Sequence, residues 1–164
     1  MRLRSQKILY ILLTFFFGWI FLFFHLKRKQ FKSKPNPLKT FCDAECRIKN
    51  IQEREKAFVS QEGRSVFLSH GKKTEYCIIL LHGYTNCPWQ FNALGRQFFE
   101  HGNNVLIPRM PYHGLLDILT KEHAKLSSSA MINYADSAID IGQALGNKII
   151  LIGISAGALI AGWC

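Results

Sequence analysis

The sequence predicts an α/β protein, in which a mostly parallel sheet carries helices on both faces, preceded by one transmembrane helix. Three observations lead to this prediction. From residue 76 onward, short apolar runs alternate with helical patterns, as they do in βαβ units. The last apolar run leads directly into a Gly-x-Ser-x-Gly pentapeptide centred on Ser155. Near the N-terminus, residues 8–26 contain no Asp, Glu, Lys or Arg.

The positive charge of the chain is concentrated at its N-terminal end. The net charge is +10, from 21 basic and 11 acidic residues. Residues 1–40 hold nine of the basic residues and none of the acidic ones, so the rest of the chain is nearly neutral. This distribution leaves no basic face for nucleic acid, and it assigns the charge to the flanks of a membrane segment.

Residues 8–26 predict an N-terminal anchor, with residues 1–31 forming a single-pass membrane segment and its basic flanks. As a helix, these 19 residues would rise about 28 Å, close to the hydrocarbon thickness of a bilayer. A cleaved signal peptide is the alternative, but the run is long and rich in Phe, and no small-x-small cleavage site follows it. More basic residues follow the run than precede it, which favours a cytoplasmic domain. A short basic N-terminus also suits an N-in signal anchor, so the side of the membrane stays open.

Residues 32–56 are predicted to form a linker, with Pro35 and Pro37 among lysines, followed by a short surface helix near residues 43–56. Residues 57–164 then form the folded domain. Its cysteines offer no CxxC pair, so we expect no metal site. Cys42 and Cys46 are interpreted more simply as free thiols than as a disulfide.

The elements of the folded domain follow from local patterns. An edge strand is predicted at residues 66–68, and an apolar strand at 76–81. A helix is predicted from Pro88 to about residue 101, because Pro suits the first helical position and Gly102 follows its end. The remaining predictions are a strand at 104–107, a Pro-rich loop at 108–114, a helix at about 129–145 and a strand at 148–152 that is buried on both faces.

The Gly-x-Ser-x-Gly pentapeptide predicts a sharp turn from strand to helix that lifts Ser155 out of the sheet. Gly153 and Gly157 lie where any Cβ would crowd such a turn. The first amide of the following helix, that of Ala156, would point at the place where an oxyanion forms, and the helix dipole would add positive potential. This geometry suits a nucleophile.

Taken together, these motifs resemble the α/β-hydrolase superfamily, and within it bacterial carboxylesterase and lysophospholipase-like members. The resemblance covers residues 65–164 and rests on the strand that ends in His82-Gly83, the Pro-x-x-Pro-x-His-Gly loop at 108–114 and the elbow about 70 residues after the first motif. It implies that Ser155 is the nucleophile, with a triad acid and histidine following it in the chain. It further implies backbone oxyanion donors at Tyr84 and Ala156, and a site lined by His82, Gly83 and His113. His82 is expected to be structural, packing under the turn.

The function implied by the resemblance is membrane-anchored serine ester hydrolysis, by acyl transfer to Ser155, with an ester substrate, possibly lipid-like, and no cofactor. The sequence ends nine residues after Ser155 and contains no triad acid or histidine beyond it. Asp117, Asp136 and Asp140 precede the serine, so chain order does not favour them as the acid. We therefore expect the N-terminal half of a hydrolase domain. The alternative is a truncated, inactive remnant whose only robust property is membrane attachment.

Overall fold

The computed structural model describes residues 2–25 and 31–164, and the chain divides into two compact units, residues 1–32 and residues 33–164. The first unit contains helix α1 (Arg2–His25). The second unit contains every other helix and strand that the described residues form.

The sequence predicts a transmembrane helix over residues 8–26, and this prediction is wrong. No helix among residues 2–25 and 31–164 is long and apolar enough to cross a membrane. Arg2, Arg4 and Lys7 fall within the first two turns of α1, so this helix is not apolar along its whole length. The transmembrane part of the predicted fold and the predicted membrane localisation are corrected accordingly. Leu26 and the basic residues 27–29 lie outside the described residues.

The second unit is built on a four-stranded mixed sheet. Its spatial order is β1-β3-β2-β4, and its strands are β1 (Val66–Leu68), β2 (Thr74–Leu81), β3 (Asn104–Ile107) and β4 (Gly146–Gly153). β2 runs parallel to both β3 and β4, whereas β1 runs antiparallel to β3. Parallel strands need crossover connections, and helices supply them here. The carboxyl ends of β2 and β4 therefore meet at one edge of the sheet.

Helices cover both faces of this sheet, and alternate side chains of each strand point to opposite faces. One face packs against α2 (Phe41–Glu55), α4 (Ser128–Leu145) and α5 (Ala156–Trp163). The other face packs against a 3₁₀ turn (Pro88–Phe91) and α3 (Asn92–Glu100). The core is therefore two apolar layers, one on each side of β2.

Strand β4 differs from its prediction because it lies at the edge of the sheet. It pairs with β2 along its length, with Ile150 opposite Ile78. The sequence predicts burial on both faces for residues 148–152, but Ile150 is 41% exposed. An apolar run predicts a strand correctly, yet it carries no information about where that strand sits in the sheet order.

Residues 33–40 lie against α4 rather than forming a free linker. Asp136 accepts hydrogen bonds from the Ser33 hydroxyl and the Lys34 amide at 2.6 and 2.7 Å. Asp140 is buried and accepts the Asn36 amide at 2.9 Å. Carboxylates that accept backbone N–H groups in this way hold an extended segment without regular structure of its own.

Candidate active site

Ser155 lies at the turn between β4 and α5, in a backbone conformation that side chains rarely adopt. Its φ is 54° and its ψ is −116°, and helix α5 begins at the next residue. Gly153 and Gly157 flank the turn, and a Cβ on Gly157 would overlap the backbone of Leu81 at the end of β2. The Ile154 amide also donates to the Leu81 carbonyl, at 3.2 Å. Close packing on both sides of the turn thus holds Ser155 in its strained backbone conformation.

The turn after β2 lies directly against Ser155. A Cβ built on Gly83 would stand 3.7 Å from the Ser155 Cβ and 3.6 Å from the Ile154 carbonyl oxygen. The structure therefore brings together two motifs that are about 70 residues apart in the chain. It does so because β2 and β4 are adjacent and parallel, and both motifs follow the carboxyl end of their strand.

Three successive peptide groups of this turn are each held by a side chain. The Gly83 N–H donates to Gln90 Oε1 at 3.0 Å, and the Gly83 carbonyl accepts from His82 Nδ1 at 2.9 Å. The Tyr84 carbonyl contacts His113 Nε2 at 2.6 Å. Within the described residues, the N–H groups of Tyr84 and Ala156 have no hydrogen-bond partner. Two backbone donors are therefore free in the turns that meet at Ser155.

His82 is completely buried beneath the turn, and both of its ring nitrogens are occupied. Nε2 accepts the Met110 amide at 3.0 Å, so the proton must sit on Nδ1, which donates to Gly83. The pKa of His82 is lowered to about 4, mainly by burial; the nearby His113 and Arg109 add to this effect, and the hydrogen bond to Gly83 opposes it. The ring is therefore neutral at pH 7 and has no free nitrogen to act as a base.

His113 is also buried, in the loop that follows β3. Its Nδ1 lies 2.8 Å from the Pro111 carbonyl oxygen, and its Nε2 contacts Tyr84. Burial lowers the pKa of His113, although both carbonyls act in the opposite direction. Tyr112, just before it, has a φ of 66°, and Gly114, just after it, has a φ of 65°. The loop thus bends sharply on both sides of His113.

A buried ion pair that no local sequence pattern predicts braces this loop. Arg109 Nε lies 2.9 Å from Glu55 Oε1, at the end of α2. Ser65 donates its amide and its hydroxyl to the same carboxylate, and its hydroxyl accepts the Arg109 amide. Arg109 also donates to the His113 carbonyl at 3.1 Å. No local motif links Glu55 to Arg109, because they are 54 residues apart.

Gln90 was likewise missed, since its position in the first turn of a predicted helix gives no sign of a contact with Gly83.

Among the described residues, no group of three His, Cys, Asp or Glu side chains could hold a metal ion. Asp117 lies in the loop after His113, where it accepts the Leu119 amide at 2.9 Å. Asp136 and Asp140 bind residues 33–36, and no contact links any of these three carboxylates to Ser155 in the described part of the chain.

Comparison with solved structures shows a likeness in fold. No family model matches the chain, and no curated protein matches it. A solved structure from work on LipS and LipT, two metagenome-derived lipolytic enzymes, aligns with a TM-score of 0.53 and 19% sequence identity. The alignment covers 64% of this chain and 40% of that one, so this chain spans less than half of its neighbour's length. At this identity the likeness shows the fold alone, and the aligned part of this chain has an α/β fold.

Proposed function

We propose that this chain carries the nucleophile and oxyanion site of a serine ester hydrolase. The observation that supports it best is the strained backbone of Ser155, at a strand-to-helix turn packed against Gly83. Strain of this kind costs about 1–3 kcal/mol and persists where the surrounding structure enforces it. A strand-to-helix turn around Gly-x-Ser-x-Gly is the context in which this motif presents a nucleophilic hydroxyl.

In the proposed reaction, Ser155 Oγ attacks the carbonyl carbon of an ester while a base takes its proton. The carbonyl oxygen becomes an oxyanion, which accepts hydrogen bonds from the free N–H groups of Tyr84 and Ala156. Collapse of this intermediate breaks the bond to the alcohol, which leaves with a proton, and an acyl-serine remains. Water then attacks the acyl-serine, releasing the carboxylic acid and restoring Ser155.

The base is assigned to neither of the two buried histidines near the site. The ring nitrogens of His82 and of His113 contact backbone groups, and in the described part of the chain neither ring contacts Ser155. The resemblance to α/β hydrolases implies a histidine and an acid that follow the nucleophile in the chain. Losing a triad member costs several orders of magnitude in rate, while binding and the oxyanion donors leave a residual acceleration of about 10³–10⁴ over water.

Covalent labelling tests this proposal. The full-length chain is incubated with a fluorophosphonate probe, with and without imidazole as an external base, and the modified residue is identified by mass spectrometry. We expect labelling of Ser155 that imidazole accelerates. Ser155→Ala should abolish it, and Ser129→Ala should leave it unchanged, because Ser129 is an exposed serine on α4. Labelling that survives Ser155→Ala, or the absence of labelling when imidazole is present, would refute the assignment.

A further inference from the structure

Both ring nitrogens of His113 face carbonyl oxygens, at 2.8 Å from Pro111 and 2.6 Å from Tyr84. A carbonyl oxygen can only accept a hydrogen bond, so each of these contacts needs an N–H on the ring. Neutral imidazole has one N–H, whereas the imidazolium has two. The observed pair of contacts is therefore fully satisfied only when His113 is doubly protonated.

Burial and the nearby His123 and Arg109 oppose this second proton, whereas the Pro111 and Tyr84 carbonyls favour it. The His123 ring packs edge-on at 4.6 Å between centroids, and the His82 and Tyr84 rings lie at 5.5 and 5.3 Å. The guanidinium of Arg109 binds the His113 carbonyl, although Glu55 pairs with that charge. Burial lowers the pKa of His113 most, and His123 and Arg109 lower it further. The imidazolium therefore forms below the ordinary pH range of histidine.

We propose that His113 is a positioning residue for the Tyr84 turn, which it clamps to Pro111 in its doubly protonated form. When the proton is lost, one ring N–H remains for two carbonyl oxygens. The other oxygen then faces a ring lone pair at hydrogen-bond distance, which is repulsive. One of the two contacts opens, and the turn and the loop are no longer held by the same ring.

The clamp acts one peptide away from the proposed oxyanion donor. The Tyr84 carbonyl belongs to the peptide that follows Tyr84, and the free N–H of Tyr84 belongs to the peptide before it. A rotation of the peptide that follows Tyr84 changes the φ and ψ angles of Tyr84. These angles set the direction of the preceding peptide, which carries the free N–H. This consequence rests on the proposed function, whereas the clamp itself does not.

The clamp is tested by NMR on the full-length chain labelled with ¹⁵N, between pH 4 and pH 8. Long-range correlations count the ring N–H groups of His113. The Thr85 and Tyr112 amides report on the contacts, since they share peptides with the Tyr84 and Pro111 carbonyls. We expect two ring N–H groups at low pH and one at high pH, and at least one reporter amide that shifts with the same midpoint.

Matched variants distinguish an amide shift caused by His113 from shifts caused by the titration of other groups. His113→Gln should abolish the reporter transition, and His101→Gln, at an exposed position after α3, should leave it unchanged. His123→Gln should retain the transition at a higher midpoint, because His123 lowers the pKa of His113. One neutral ring form throughout, or a transition that survives His113→Gln, would overturn the clamp. If His113→Gln does not fold, the ring spectrum of the unmodified chain decides. Because none of these readouts needs catalysis, absent Ser155 labelling would refute the proposed function alone.

Discussion

Replacing Gly157 with alanine is expected to destabilise the protein by driving the start of α5 away from the end of β2. A Cβ at this position would lie 2.6 Å from the Leu81 carbonyl carbon and 2.8 Å from the His82 carbonyl oxygen, and closer still to the Leu81 oxygen. Ordinary van der Waals contact of a Cβ begins at 3.4 Å, so all of these distances are too short. All of these atoms belong to the backbone, so no side-chain rotation relieves the overlap.

The expected cost follows from the size of this overlap. Adding a methyl group to a well-packed site costs about 1–3 kcal/mol, and occasionally more. We expect the upper end, about 3 kcal/mol, because a whole helix must shift by roughly 1 Å to restore contact. For a domain of roughly 150 residues, each kcal/mol lowers Tm by about 2–4 °C, so the melting temperature should fall by roughly 10 °C.

Gly162 provides the control, because it lies on the same helix and nothing lies within 4 Å of a Cβ built there. Gly162→Ala adds the same methyl group and should be neutral or stabilising by up to about 1 kcal/mol, since alanine is the better helix former. Thermal melts followed by circular dichroism compare the two variants. If Gly157→Ala melts within about 2 °C of Gly162→Ala, the packing argument for the elbow is refuted.

Two further predictions concern the groups at the turn. Ser155→Gly should be more stable than Ser155→Ala by about 1 kcal/mol in urea denaturation, because only glycine relieves a φ of 54°; equal stability would contradict the strain. His82, with a pKa of about 4 in the folded protein and 6.5 as its ordinary value, binds its proton more readily when unfolded. Stability should thus fall as the pH drops from about 6.5 towards 4, by about 2 kcal/mol at pH 4.5. His82→Asn keeps a donor for Gly83 but does not titrate, so its free energy of unfolding should fall less between pH 7 and pH 4.5; an equal fall would exclude His82 as the cause.

Much of the second unit is predictable from local patterns. The strands at residues 66–68 and 104–107 match their predictions, and the helix predicted at 129–145 begins at Ser128. The observed ends of helices and strands differ from the predicted ones where contacts with neighbouring elements, rather than local propensity, determine them. The helix predicted from Pro88 is a 3₁₀ turn followed by α3, and strand β4 begins at Gly146, where it pairs with Thr74.

The contacts that hold the site were much harder to predict. The pairing of Glu55 with Arg109 depends on how α2 packs, and the contact of Gln90 with Gly83 depends on how the 3₁₀ turn packs. Neither contact produces a local sequence pattern. The apolar run near the N-terminus leads to an error of the opposite kind, because its composition predicts a membrane span that no helix of the described residues provides. Periodicity reports local structure well, whereas long-range polar pairing has no period to detect.

The same contacts imply that helix α2 contributes to the proposed site, although it carries none of the site's chemistry. Glu55 binds Arg109, which holds the carbonyl of His113, and His113 contacts the Tyr84 turn beside Ser155. If any member of this series is removed, a buried partner is left unsatisfied, and such a loss costs more than the bond itself contributes. The unit that holds the Tyr84 turn therefore includes residues before 57 as well as the sheet. The position of Tyr84 depends on a helix that the sequence identifies only as a short surface element.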